Sequence, residues 1–381
     1  MAAGRIYFDN AATSALDERA MAAMLPYFGT HSGNPSSMHL DGRAAKEAVE
    51  KARAQLAEML DVQASEIVFT SGGTESNNMA LNGVAELFRG KDCHFIVGAF
   101  EHPCVLEAAE RLGAYGVKIT RLNCGTDGMV DPEELAKAIR PETRLISIMS
   151  ANNVTGVVQD IAALAQVAAE HGILFHTDAV QAAGKIPLPF AKGAIDMASF
   201  SAHKLHGPKG VGALYVKSGL QLPALLRGGG QERGLRSGTE NVPGIVGFGK
   251  AAEICKMEMG SNTAKVVNIR EHMISWILEN VPGAYLIGDR YRRMPGHICL
   301  GVDGKEGAAM KLLLELDERG ISVSTGSACS SSHSGSSHVL TAMGFDPVKA
   351  HGSLRISLSR QNTMEEAELF LDKFSSAVQS L

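Results

Sequence analysis

No run of about 18 apolar residues occurs in the chain, so a helical membrane span is excluded on length alone. Cysteine is sparse and scattered. Cys93, Cys104, Cys124, Cys255, Cys299 and Cys329 contain no C-x-x-C pair, which argues against a zinc site or a disulfide framework and for a reducing compartment. An excess of positive charge is also missing. Lys and Arg total 36 against 41 Asp and Glu, a net charge of -5, so the basic field that nucleic-acid binders use is lacking. Glycine is abundant, at 41 residues, yet has no fixed period; this excludes collagen and implies tight turns with close backbone approaches. Residues 1–9 show neither an apolar signal core nor an Arg/Ser-rich transit segment, so a cytoplasmic protein is expected.

What is present is enough apolar material to fold. Hydrophobic residues make up 45% and charged residues 20%, a balance that offsets the ordering entropy and excludes bulk disorder. At 381 residues the chain exceeds one ordinary core and is expected to form a large domain plus a smaller one. From 66 to 216, short β-branched runs alternate with helical ones. Strands are predicted at 67–70, 94–97, 117–122, 145–149, 173–176, 197–200 and 211–216, and helices at 74–88, 103–112, 132–139 and 161–170. Strands separated by helices imply βαβ units, hence an α/β fold with a largely parallel sheet covered on both faces. After about 250 the pattern changes to a long helix at 266–281, strands at 298–302, 321–323 and 354–357, and helices at 305–319 and 364–381, which reads as a smaller α+β unit. The Ser/Gly-rich segment 322–337 reads as a mobile loop and carries Cys329.

Three segments carry chemistry. In 71–77, Gly72 and Gly73 follow a strand and open a helix; their backbone N–H groups and the helix N-terminus suit a phosphate. The segment is neither a Walker A loop nor G-x-G-x-x-G, and a plain strand–helix turn capped by Thr74 is the alternative. Asp178 ends a predicted buried strand, at the edge where open α/β sheets bind ligands. A carboxylate there needs a cationic partner, which a pyridinium N–H supplies; a helix N-cap is the alternative. Lys204 follows a later strand among hydroxyl, imidazole and glycine residues, and such a lysine can form a Schiff base with an aldehyde cofactor. A lone lysine is far more often a solvated one, and Lys209 is the decoy; the sequence of cup, acidic strand end and lysine is what points to the cofactor.

These segments, with 8–13, 33–37, Glu101-His102, Asn152-Asn153, 229–241 and Gly326-Ser327-Ala328-Cys329, run in order along almost the whole chain. In this they resemble the NifS/IscS-type (group I) cysteine desulfurases of the class V aminotransferase family, which are fold-type I enzymes dependent on pyridoxal 5'-phosphate (PLP). The resemblance implies a large domain over 14–255 with a mostly parallel seven-stranded sheet. It also implies a small domain from 1–13 and 256–381, carrying the cysteine loop. Lys204 would hold PLP and move the substrate Cα proton, Asp178 would pair with the pyridine nitrogen, and His102 would stack on the ring and shuttle protons. Gln181 and Asn153 would lie at the ring hydroxyl oxygen. Gly73, Thr74, Ser201 and His203 would bind phosphate, with Thr239 reaching the phosphate of the neighbouring subunit in a homodimer. Arg355 would clamp the substrate carboxylate, with Asn10 and Asn153 as further substrate contacts.

Under the same resemblance Cys329 would take sulfur from L-cysteine as a persulfide, release alanine and serve a sulfur acceptor or iron–sulfur scaffold protein. No metal, nucleic acid or membrane partner is implied. A selenocysteine lyase or cysteine-sulfinate desulfinase on the same site, and a sulfur-carrier module acting by partner binding, are the alternatives. Val154, after the Asn pair, and Leu205, after the lysine, depart from the family's usual acidic and aromatic residues. Cys93, Cys104, Cys124, Cys255 and Cys299 are expected to be small buried hydrophobes, and His94, His171, His297 and His351 to be structural or solvated.

Overall fold

The computed structural model describes residues 5–190, 193–326 and 337–381. Seven strands form the main sheet: β2 (Ile67–Thr70), β3 (His94–Gly98), β4 (Lys118–Leu122), β5 (Thr143–Ser147), β6 (Leu174–Asp178), β7 (Met197–Ser201) and β8 (Gly212–Val216). Their order is β2-β8-β7-β6-β5-β3-β4. β8 runs against its two neighbours, and every other pairing is parallel. The inner strands read as continuous apolar runs because both faces are covered; β2, β3, β7 and β8 are buried throughout.

Helices α3 (Gly73–Leu87), α4 (Pro103–Ala114), α5 (Pro132–Ala138) and α6 (Ile161–Glu170) connect the strands close to the predicted bounds. Each of the last three has a side chain accepting a first-turn N–H: His102, Asp131 and Asp160. Gly172, at φ 64°, ends the turn after α6, the left-handed conformation that favours glycine.

The C-terminal half builds a second sheet of order β12-β13-β10-β9, from β9 (Ala284–Leu286), β10 (His297–Val302), β12 (Ser324–Thr325) and β13 (Leu354–Ser357). The N-terminal β1 (Ile6–Tyr7) pairs in parallel with β11 (Ile321–Ser322). A separate apolar cluster, including Phe8, Ile298, Leu316, Ile356, Phe370 and Phe374, packs α8 (Ala309–Glu318) and α11 (Met364–Gln379) against this sheet. Chain segments from both ends therefore share one core.

Three of the departures from the sequence pattern are large. Helices α1 (Glu18–Met24) and α2 (Leu40–Leu60) precede the first predicted element. The helix expected at 266–281 begins already at Val242 and runs unbroken to Asn280 as α7. Its first half holds Gly244, Gly247 and Gly249, poor helix formers, and close packing overrides that preference. A Cβ on Gly247 would sit 2.4 Å from Met24 Sδ, and one on Gly249 2.5 Å from Ala52 Cα. Finally, the segment expected to be loop from 322 starts as strand, since Ser324 and Thr325 pair with β13. The rest of that expectation, with Cys329, lies outside the described residues.

Candidate active site

Several element ends converge at the C-terminal edge of the main sheet. β6 ends in Asp178, β7 ends in Ser201 and turns through Ala202–Lys204, α3 begins at Gly73 after β2, and α4 begins after His102. They enclose a cavity of about 310 Å³. This is the crevice position expected for ligands of open α/β sheets. Gly73 is required there for space, because a Cβ would lie 2.7 Å from Val180 Cγ2. No side chain caps the start of α3, so its first-turn N–H groups are aimed at one end of the cavity.

The N-terminal segment forms the opposite wall. Lys204 Nζ donates to the carbonyl oxygens of Ala11 and Ala12, at 2.6 Å each. Gln181 Nε2 donates to the same Ala11 oxygen at 2.9 Å, while its buried Oε1 has no hydrogen-bond partner among the described residues. Ser14 bonds the His203 carbonyl through both its N–H and its hydroxyl, and Thr13 Oγ1 lies 3.0 Å from His203 Nδ1.

Asp178 is buried and held at both oxygens. Oδ1 accepts the Val180 N–H at 3.0 Å, and Oδ2 accepts Asn77 Nδ2 at 2.7 Å. His102 Nδ1 accepts the Cys104 N–H at 3.2 Å and lies 3.0 Å from Cys104 Sγ. Arg355, on β13, is 3% exposed; Nη1 donates to the Asn153 carbonyl at 3.0 Å and Nη2 to Asp9 Oδ1 at 2.7 Å.

Burial dominates the electrostatics. It lowers the pKa of His102, with Lys204 and His338 adding to it and Asp178 opposing. Burial also brings His203 down to about 4, helped by Lys204, so this ring is neutral near pH 7. It pushes the Cys104 thiol up to about 12, reinforced by Asp178. Glu101, next to His102, is wholly buried and its carboxyl is raised far above the ordinary range, first by burial and then by Asp178.

Lys204, His102, Asp178, Gln181, Thr74 and Gly73 all line this one cavity, and so do Ser201, His203, Asn153 and Arg355. Asn10 does not. Its amide donates to the Ser357 carbonyl at 2.9 Å and Asn362 Oδ1 at 3.3 Å, and it borders a smaller pocket on the other side of Lys204. It ties the N-terminal segment to β13. Thr239 is exposed and outside the cavity, and Lys209 is exposed as well.

Asn77 and Asp9 are cavity or clamp residues that the sequence reading did not single out, and Cys104, expected to be a small buried hydrophobe, lines the cavity and is only partly buried. Asn77 and Asp9 belonged to motifs whose neighbours drew the attention, and Cys104 follows His102 by two. Among the described residues, no three His, Cys, Asp or Glu side chains are grouped to hold a metal, and no helix is long and apolar enough to cross a membrane.

The donor set is an amine, a buried carboxylate, an imidazole, an uncapped helix start and a guanidinium. It suits a phosphorylated aldehyde carrying a pyridine ring, together with an α-amino acid carboxylate. The unpartnered Gln181 Oε1 is a further polar atom available to such a ring.

Residues 6–370 match the family model described as aminotransferase class-V. The chain is 43% identical over 376 residues to a cysteine desulfurase IscS of Dictyoglomus turgidum (strain DSM 6724 / Z-1310), covering 99% of this chain and 95% of that one. A solved structure titled as a NifS-like protein aligns with a TM-score of 0.92 at 39% identity, covering 99% and 100% of the two chains. Another, titled SspA in complex with cysteine, aligns with a TM-score of 0.83 at 34% identity, covering 94% and 100%.

Proposed function

Since the chain belongs to the aminotransferase class-V family, we infer that its cavity is the site of a PLP-dependent L-cysteine desulfurase, which converts L-cysteine to L-alanine and captures the sulfur on Cys329. The observation that carries the reading is the placing of Lys204, Asp178 and Arg355 around one cavity, in a chain whose similar proteins include a cysteine desulfurase and a structure holding cysteine.

PLP, when bound, supplies the electron sink for a carbanion at the substrate Cα. Everything else falls to side chains. Lys204 holds the cofactor aldehyde and afterwards, as a free amine, carries the Cα proton. Asp178, fixed by Asn77 and the Val180 N–H, keeps a proton on the pyridine nitrogen. Gly73, Thr74, Ser201 and His203 bind the phosphate, and Gln181 with Asn153 borders the ring oxygen. Arg355 orients the substrate through its carboxylate, a fit of planar fork to two oxygens. Cys329, as its thiolate, would take the sulfur: an S–S bond forms as the Cβ–S bond breaks, and the electron pair of the broken bond stays with Cβ, where a proton completes the methyl group of alanine. His102 supports proton transfer beside the ring.

The reading extends to a cytoplasmic homodimer, in which Thr239 serves the site of a second copy, and to delivery of sulfur to an acceptor protein for iron–sulfur cluster assembly. A large unit of residues 14–255 and a small one of 1–13 with 256–381 is the domain division proposed. The test is release of alanine and sulfide from L-cysteine by the purified yellow protein in the presence of a thiol reductant. Failure to release alanine in equal amount with sulfide would refute the reading.

A further inference from the structure

We propose that Cys104 is a positioning residue which, bridged through Asn77 to Asp178, fixes His102 in its Nε2–H tautomer. The proposal rests on the cofactor reading above, but it concerns contacts that this chain makes by itself.

Asn77 is completely buried. Its Nδ2 donates to Asp178 Oδ2 at 2.7 Å and to Cys104 Sγ at 3.2 Å, one hydrogen for each acceptor. The orientation of this amide is fixed by chemistry: turned over, its carbonyl would face the Asp178 carboxylate. In the present orientation Oδ1 is buried and without a hydrogen-bond partner among the described residues, so the two Nδ2 contacts govern the side chain. Cys104 Sγ then lies 3.0 Å from His102 Nδ1, and the Cys104 N–H donates to that same nitrogen at 3.2 Å. The N–H contact requires a lone pair on Nδ1. A ring that accepts there carries its own proton on Nε2.

The protonation states agree with this direction. Burial first, and the neighbouring Asp178 next, raise the thiol to about 12, so Sγ keeps a proton to donate. The charged or titratable groups acting on His102 are Asp178, Lys204 and His338; burial outweighs Asp178 and leaves the imidazole neutral. Glu101, which acts on the Cys104 thiol together with Asp178, is itself held protonated by burial and adds no full charge. Donors at Nδ1 stabilise the neutral ring, hold Nδ1 as an acceptor and leave Nε2–H as the ring's hydrogen-bond donor. The backbone N–H fixes which nitrogen accepts, and the thiol, whose own chemistry is suppressed, reinforces it.

The experiment records nitrogen NMR spectra of the ¹⁵N-histidine-labelled protein as purified, from pH 6 to 8, with the His102 signals identified by their loss in His102→Gln. In wild type, Nδ1 should resonate as an unprotonated and Nε2 as a protonated nitrogen. Cys104→Ser retains both donors to Nδ1 and should keep that pattern; Cys104→Ala retains only the backbone N–H and should move the Nδ1 signal partway toward the protonated value. In turnover, Cys104→Ala should lower kcat roughly three- to tenfold with KM unchanged, the loss of one hydrogen bond. It should also move the acid limb of the pH–rate profile upward, and Cys104→Ser should restore both. Unchanged His102 signals in Cys104→Ala, or a serine variant as disturbed as the alanine one, would overturn the proposal. If Cys104→Ala does not fold, a wild-type ring protonated at Nδ1 overturns it alone. Failure of the cofactor reading is seen separately, as a wild-type protein that binds no PLP, and leaves the tautomer result standing.

Discussion

Asp9 and Arg355 meet across the two ends of the chain: Asp9 Oδ1 accepts from Arg355 Nη2 at 2.7 Å. The guanidinium is nearly inaccessible, its other terminal nitrogen is engaged by the Asn153 carbonyl, and Nε has no hydrogen-bond partner among the described residues. Asp9 thus balances a buried cation, the group proposed to receive the substrate carboxylate. A buried charge that loses its partner is costly, so the two anions act on the same group.

Replacing Asp9 with Asn should keep an oxygen acceptor beside Arg355 and remove the counter-charge. The free protein should then melt at lower temperature than wild type. Addition of L-alanine, whose carboxylate can supply the missing charge, should raise the melting temperature more in Asp9→Asn than in wild type. Equal shifts in the two proteins would show that Arg355 does not receive the carboxylate. Arg355→Lys, which keeps charge and loses the fork, should raise KM for L-cysteine at least about tenfold, with the visible absorbance of bound PLP little changed.

Lys204 and Lys209 should separate cleanly on labelling. Lys204 borders the cavity, whereas Lys209 is exposed. Borohydride treatment of the yellow protein should fix the cofactor on Lys204, and Lys204→Ala should be colourless while Lys209→Ala stays yellow. A cofactor-bearing peptide containing Lys209 would sink the assignment.

Sulfur should be found on Cys329 and on no other thiol. Burial raises Cys104 and Cys124 to about 12 and Cys255 and Cys299 to about 11, which keeps them protonated and unreactive at neutral pH. Mass spectrometry after brief exposure to L-cysteine without reductant should show a gain of ~32 Da, one sulfur atom, on the Cys329 peptide. Cys329→Ala should bind L-cysteine with a spectral change and release alanine at a small fraction of the wild-type rate. Persulfide on Cys104 in the wild-type protein would contradict both statements.

Stability should fall on mild acidification. Burial holds His176 at about 3 and His206 at about 4. Below pH 6.5 the unfolded chain takes up protons at these rings before the folded one does, so stability drops until the folded values are reached. Between pH 7 and pH 5 each ring accounts for ~2 kcal/mol. Glu101 acts in the opposite sense: it is protonated in the fold, so its contribution is lost as pH rises above the ordinary carboxyl range. Urea midpoints across pH 5 to 7 should fall toward the acid side, and His176→Gln should flatten that slope whatever its effect at pH 7. An unchanged slope would show that His176 is charged in the folded protein.

The main sheet was legible because β-branched runs such as Ile67–Thr70 and His94–Gly98 are buried on both faces and separated by helices. Position along the chain also pointed to Asp178 and Lys204, since each follows from a strand end. Contacts between distant segments were less visible. Asn77 acquires its place from Asp178, 101 residues away, and nothing in the local pattern marks it. The glycines of the first half of α7 argued against helix until their packing partners, Met24 and Ala52, were in view. The amide of Asn10 also finds distant partners, Ser357 and Asn362, that no local pattern marks.

The pairing of chain ends has a consequence for the order in which the protein becomes competent during synthesis. Asp9 emerges early and waits for Arg355, 346 residues later, while β2 through β8 can close their sheet once Val216 is made. A growing chain therefore completes the floor that carries Asp178 and Lys204 well before Arg355 is in place beside Asp9, and contacts of such long sequence separation form last. Under the proposed function, a ribosome-stalled chain ending before β13 would be a protein with a lysine to hold an aldehyde and no means of choosing an amino acid.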